Sequence, residues 1–323
     1  MAESKYGAPI EIGLARHAPK KDTPKNSGGE YEVADQQVDV EAAEGGIEQF
    51  TRELIERLDV APAGTIMALE PSNIERAKET RNLIKDKLTE LLADRDDIEM
   101  VEIGQERRAA ETLVERINAE PDKKFVITDI RDTELIGFNK EETQVKVLNK
   151  WKTIFAGNED LIGKLRAAHP GEIAELQEEI AAAGIDLKGN ELHPQEFGTT
   201  PEEVAMRLYR WMQIMKRIGE KHFPNRPLIL EGISHNIRAD FTMLALLDED
   251  ISLESINRVL GGKFREPLER SSVSFAADGH VEVAYRKERK LYSPEEFSNL
   301  LARIKKNART RKEEWQDMRE TTL

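Results

Sequence analysis

The chain has 323 residues, 39% of them apolar and 34% charged, and its 48 basic and 62 acidic residues leave a formal net charge of −14. That balance argues against non-specific binding to nucleic acid or anionic membrane, which need a positive surface, but leaves room for a small anion held by local arginines. Cysteine is absent, which removes disulfides, thiolate metal sites and a cysteine nucleophile. The N-terminal residues lack the apolar core of a leader, and no run of about 18 apolar residues occurs, so a cytoplasmic chain is expected.

In chain order, Ile10, Ile12 and Leu14 are apolar at a spacing of two, the period of a half-buried strand, and Pro19 ends it. Lys20 to Gly46 is polar and reads as a loop. Ile47, Phe50, Leu54, Ile55 and Leu58 then share one helical face. A short strand at 65–69 follows. Ser72 with Glu75 forms a capping box that opens a helix with Ile74, Leu83, Ile84 and Leu88 on its apolar face. Another strand is expected at about 98–103.

Between 105 and 199 the patterns are mostly helical, with one strand-like run, KFVITDI, at 124–130. Thr200 and Glu203 open a helix running to about 222. Residues 226–247 read as a buried strand and a helix, and runs near 271–276 and 280–285 as strands at a sheet edge. A last, highly charged helix opens at Ser293 with Glu296 as capping partner. Strands alternating with helices of this length predict an α/β fold, a mostly parallel sheet with helices on both faces. Its core is expected over 1–104 and 198–323, with a mostly helical insertion over 105–197.

Three strand ends present groups of matching kind. The first carries Arg16 and His17, and the second leads to Arg76 in the first turn of a helix, where free backbone donors also favour an anion. The third carries Ser234, His235, Asn236 and Arg238. Two histidines with several arginines, and no metal-ligand spacing, suit a dianionic phosphoryl group. A neutral imidazole is a competent nucleophile near neutral pH.

LARHAPK resembles the Arg-His-Gly signature of the histidine phosphatase superfamily, whose fold is phosphoglycerate-mutase-like, a three-layer sandwich. SNIERAKET is similar to its Ser-Pro-Leu-x-Arg-Ala-x-x-Thr block, with Ser72, Arg76, Ala77 and Thr80 in register. ISHNIR resembles the late block with the second histidine, and GTTPEEVAMRLYRWM the Gly-x-Ser-x-Glu-x-x-x-Arg helix before it. The four blocks stand in family order and cover about 10–104 and 198–247.

The resemblance implies a phosphomonoesterase with His17 as the phosphate-accepting nucleophile. Arg16, Arg76 and His235 would hold the phosphoryl oxygens, and no metal or organic cofactor would be needed. Apart from the resemblance, Asn236 and Arg238 are candidate substrate contacts, and Arg238 reads equally as a solvated first-turn arginine. Two departures stand out. Ala18 replaces the glycine after the histidine, and the family's acid has no clean counterpart. Glu134 is the expected proton donor, with Glu106 as the alternative.

A phosphomutase, or a non-catalytic phosphate-binding module on the same fold, remains open. The partner would be a small phosphorylated substrate or a phosphoprotein, with no nucleic acid and no membrane; the oligomeric state is not legible. His169, His193, His222 and His280 read as loop or helix-end residues, and Trp151, Ile154 and Phe155 as a local core. The insertion is expected to cap the pocket and set specificity.

Overall fold

A computed structural model describes residues 8–19, 37–72, 75–102, 107–128, 201–234, 236–249, 255, 258–259 and 265–322, and of 107–110, 201–204, 236–238 and 311–322 the main chain alone. The strands are β1 (Ile10–Arg16), β2 (Ile66–Pro71), β3 (Ile98–Glu102), β4 (Lys124–Thr128), β5 (Leu228–Ser234), β6 (Arg270–Phe275), β7 (Val281–Tyr285) and β8 (Glu288–Tyr292). The helices are α1 (Val40–Val60), α2 (Glu75–Leu91), α3 (Arg107–Ala119), α4 (Pro201–His222), α5 (Asn236–Leu246) and α6 (Pro294–Thr322).

The eight strands form one mixed sheet in the order β3-β4-β2-β5-β1-β6-β7-β8. From β3 to β1 every pairing is parallel, and from β1 to β8 every pairing is antiparallel. β1 therefore lies at the centre, and both of its faces are covered. Ile10, Ile12 and Leu14 enter a core shared with α3, α4, α5 and α6. Ala15 turns to the other face, where α1 and α2 supply Phe50, Leu54, Leu58, Ile84 and Leu88. The alternation read as half-buried is thus a choice between two buried layers, as parallel sheets require. No helix among the described residues is long and apolar enough to cross a membrane.

Three expectations need correction. The loop expected to reach Gly46 stops at Asp39, whose side chain accepts from Ala42 N–H at 3.1 Å and caps α1. Ser72 does not cap α2. Its N–H is still bound to the Ile233 carbonyl at 2.9 Å, and its hydroxyl makes no hydrogen bond. Finally, the expected insertion starts too early. β4 lies between β3 and β2, and Ile117 of α3 is in the main core, so α3 and β4 are part of the sheet and its covering helices. The remainder, 129–200, with Trp151, Ile154 and Phe155, lies outside the described residues.

One buried charge arrangement ties the centre together. Glu231 on β5 lies across Gly13 of β1, where a Cβ would overlap its carboxylate. From the far side of β1, Arg270 of β6 donates its Nε to Glu231 Oε1 at 2.8 Å and its Nη2 to Glu11 at 2.6 Å. Arg57 of α1 donates to the same Glu11 oxygen at 2.7 Å. Burial pushes the Glu231 carboxyl up against the pull of Arg270.

Candidate active site

β1, β2 and β5 run in one direction, so their carboxyl ends open onto one side of the sheet, where open α/β sheets place ligands. Arg16 pairs with Ser234 at the end of β1, and His17 N–H donates to the Ser234 carbonyl at 2.9 Å. The hydrogen bond carries the strand pairing one residue past β1 and fixes the His17 backbone. His17 itself is buried.

The imidazole has a defined tautomer. Nδ1 stands 2.7 Å from the Ala18 carbonyl, which can only accept, so Nδ1 carries the proton. In the neutral ring, Nε2 then holds the lone pair. Ala18 is also buried and is not among the residues with positive φ, so nothing in the backbone here requires glycine.

α2 is tied to this point by the Thr80 hydroxyl. Ala18 N–H donates to Thr80 Oγ1 at 3.0 Å, and Thr80 Oγ1 donates to the Arg76 carbonyl at 2.6 Å. Arg76 and Thr80 are four apart on one helical face, so Arg76 stands one turn from the residue that follows His17. Arg76 is mostly buried despite its charge.

Arg16 is held from the other side of the sheet. Its Nη1 donates to the Arg265 carbonyl at 2.8 Å, and its Nε is buried with no hydrogen-bond partner. Burial lowers the pKa of this guanidinium, while Glu266 and Asp240 act to raise it. A guanidinium stays charged under any such shift at ordinary pH.

Two acids and one arginine near these strand ends escaped the reading of the sequence. Glu70, one residue before the end of β2, is buried and accepts from Trp211 Nε1 at 2.9 Å. Burial pushes its carboxyl up to about 7, and the Trp211 bond opposes the shift. The indole packs over Gly232, where a Cβ would come within 2.7 Å of it. Asp240 and Arg265 form a wholly buried pair beside Arg16.

Of the residues singled out in the sequence, Arg16, His17 and Arg76 come to one end of the sheet. His235, Glu134 and Glu106 lie outside the described residues, as do the side chains of Asn236 and Arg238, whose backbones open α5. His280 stands in the β6–β7 turn beside Asp278, at the opposite end of the sheet. Among the described residues no cluster of three or more His, Asp or Glu side chains could hold a metal.

No family model and no curated protein matches the chain. Among solved structures, it is similar to one described as mycobacterial hydrolase 1, at 13% identity and a TM-score of 0.39 over 87% of this chain and 100% of that one. It is also similar to the native structure of mycobacterial glucosyl-3-phosphoglycerate phosphatase, at 11% identity and a TM-score of 0.35 over 88% of this chain and 97% of that one. The same phosphatase in complex with inorganic phosphate aligns at 13% identity and a TM-score of 0.36, over 87% of this chain and 95% of that one.

Proposed function

We propose that the chain is a phosphomonoesterase that works through a phosphohistidine on His17. The observation that carries this reading is the Nδ1 bond of His17 to the Ala18 carbonyl, which in the neutral ring leaves the lone pair on Nε2, at a strand end shared with Arg16 and linked to Arg76. Nε2 would attack phosphorus, and the P–O bond to the leaving alcohol would break as an acid protonates that oxygen. Water would then attack the phosphohistidine, releasing phosphate and returning the neutral imidazole. Two guanidiniums would neutralise the charge on the equatorial oxygens during both transfers, a task that needs no metal. His235 would be the second imidazole there, since it stands directly between Ser234, the partner of Arg16, and Asn236.

β4 ends at Thr128, at the same end of the sheet as His17, and residues 129–200 follow it in sequence. They would set the choice of leaving group, with the phosphoryl group handled by the strand-end residues. Substituting polar side chains in this segment would change the ranking among natural esters and spare a small aryl phosphate.

Incubation with an activated aryl phosphate tests the main reading. Turnover is expected, with an acid-labile, base-stable phosphoryl label on the protein, and His17→Ala should lose both. Phosphate binding without turnover of any ester would instead leave a recognition module.

A further inference from the structure

Beside Arg16 stands a second guanidinium that the reaction above does not use. Arg265 and Asp240 are both fully buried. Arg265 Nε donates to Asp240 Oδ1 at 2.7 Å, and its main-chain N–H donates to Oδ2 at 3.0 Å. Its Nη1 donates to the Leu14 carbonyl at 2.6 Å and its Nη2 to Ser271 Oγ at 3.0 Å. The guanidinium lies 4.7 Å from the centre of the Tyr285 ring, and the Tyr285 hydroxyl donates to Asp240 Oδ1 at 2.7 Å. Asp240 thus receives three donors.

What this network delivers to the site is one carbonyl, that of Arg265, on which Arg16 Nη1 rests. The following residues continue around Arg16. Leu268 N–H donates to the Arg16 carbonyl at 3.0 Å, and Arg16 N–H donates to that of Glu269 at 3.4 Å. Leu268 adopts a φ of 63°, a left-handed conformation unfavourable for a residue with a Cβ. The segment 265–269 therefore accepts backbone strain where it grips Arg16.

The type of acceptor matters. A carboxylate on Arg16 would orient it but also cancel its charge and compete with an incoming anion. A carbonyl orients the fork and leaves the charge intact. Asp240 is close enough to act on Arg16, yet its oxygens are taken up by Arg265 and Tyr285. A buried ion pair is in itself a poor source of stability, since desolvation offsets most of the attraction.

We infer that Asp240 and Arg265 are positioning residues for Arg16: the pair presents the Arg265 carbonyl to Arg16 and keeps the Asp240 carboxylate away from it, so that the Arg16 guanidinium keeps its charge for an oxyanion. This rests on Arg16 being a phosphoryl-binding residue, as proposed above.

The test is a double-mutant cycle on the full chain, with inorganic phosphate as the ligand, its affinity measured by calorimetry and as competitive inhibition of aryl phosphate turnover. Arg265→Lys keeps a charge but cannot form the fork, and should weaken phosphate by roughly tenfold. In an Arg16→Ala background the same change should cost less than about twofold. Tyr285→Phe removes only the hydroxyl bond to Asp240 and serves if Arg265→Lys does not fold. It should weaken phosphate by roughly threefold in the wild type and have no effect once Arg16 is gone. Equal losses in both backgrounds, or a lowered melting temperature with phosphate affinity unchanged, would overturn the assignment. A wild-type chain that binds no phosphate would overturn the reading of the site and this inference together; additive losses in a chain that binds phosphate would overturn the inference alone.

Discussion

The backbone N–H of Ala18 and the hydroxyl of Thr80 meet at 3.0 Å across 62 residues of sequence. This bond fixes the residue after His17 to the helix that carries Arg76. Thr80→Val keeps the shape and removes the acceptor, so it leaves a buried N–H unpaired at a cost of about 1–3 kcal/mol. The variant should lose that much in urea unfolding. It should also lose aryl phosphate turnover well beyond the loss of folded protein, because His17 and Arg76 would no longer share a fixed frame. Turnover that merely tracks the folded fraction would show that the bond is structural only.

Gly13 should tolerate nothing larger. In Gly13→Ala the new methyl meets the Glu231 carboxylate, which cannot move without leaving Arg270. Breaking a buried pair in this way costs about 3–5 kcal/mol. Chemical denaturation of the variant checks this, and a midpoint within error of the wild type would mean that Glu231 has another resting place.

Glu70 gives the fold a pH dependence of known sign. Its carboxyl is held at about 7, against an ordinary value of 4.5, mainly by burial. The folded chain therefore binds this proton more tightly than the unfolded chain does. The associated stability is fully present below the ordinary value and is lost as pH rises through about 7. A shift of that size corresponds to about 3 kcal/mol. Glu70→Gln keeps an acceptor for Trp211 and abolishes the titration. Relative to the wild type, it should gain stability between pH 5 and pH 8 in thermal unfolding. Parallel curves for the two proteins would show that Glu70 does not titrate in this range.

The proton donor can be separated from its rival by leaving group. Glu134→Gln should slow esters of poor leaving groups by roughly 10²–10⁴-fold and spare activated aryl esters, which need no proton. A selective loss in Glu106→Gln, with Glu134→Gln unaffected, would reverse the assignment.

How much was legible in the sequence varies with the range of the contact. The Ser293–Glu296 box is local and stands as read, with Ser293 N–H on Glu296 at 2.8 Å and Glu296 N–H on Ser293 Oγ at 3.3 Å. β1 was legible because its apolar alternation is intrinsic. The start of α1 was hidden by Gly45 and Gly46, which weaken helical patterning, while the deciding cap at Asp39 is a lone residue. KFVIT was readable as a strand, but nothing local states that it inserts between β3 and β2. β8, with exposed Glu288 and Arg289, is an edge strand whose charges conceal it, the usual protection of an open edge. Glu70 and Asp240 were illegible because their partners are 141 and 25 residues away.

The position of β1 has a consequence for how the chain is made. Its two neighbours, β5 and β6, start at Leu228 and Arg270, so β1 is enclosed by strands that follow it far along the sequence. Until Arg270 emerges, Glu231 has no counter-charge across Gly13, and β1 has at most one partner. Contacts of such long range form slowly and late. On the ribosome, then, β1 waits for β5 and β6 to emerge, and the frame beneath His17 closes late.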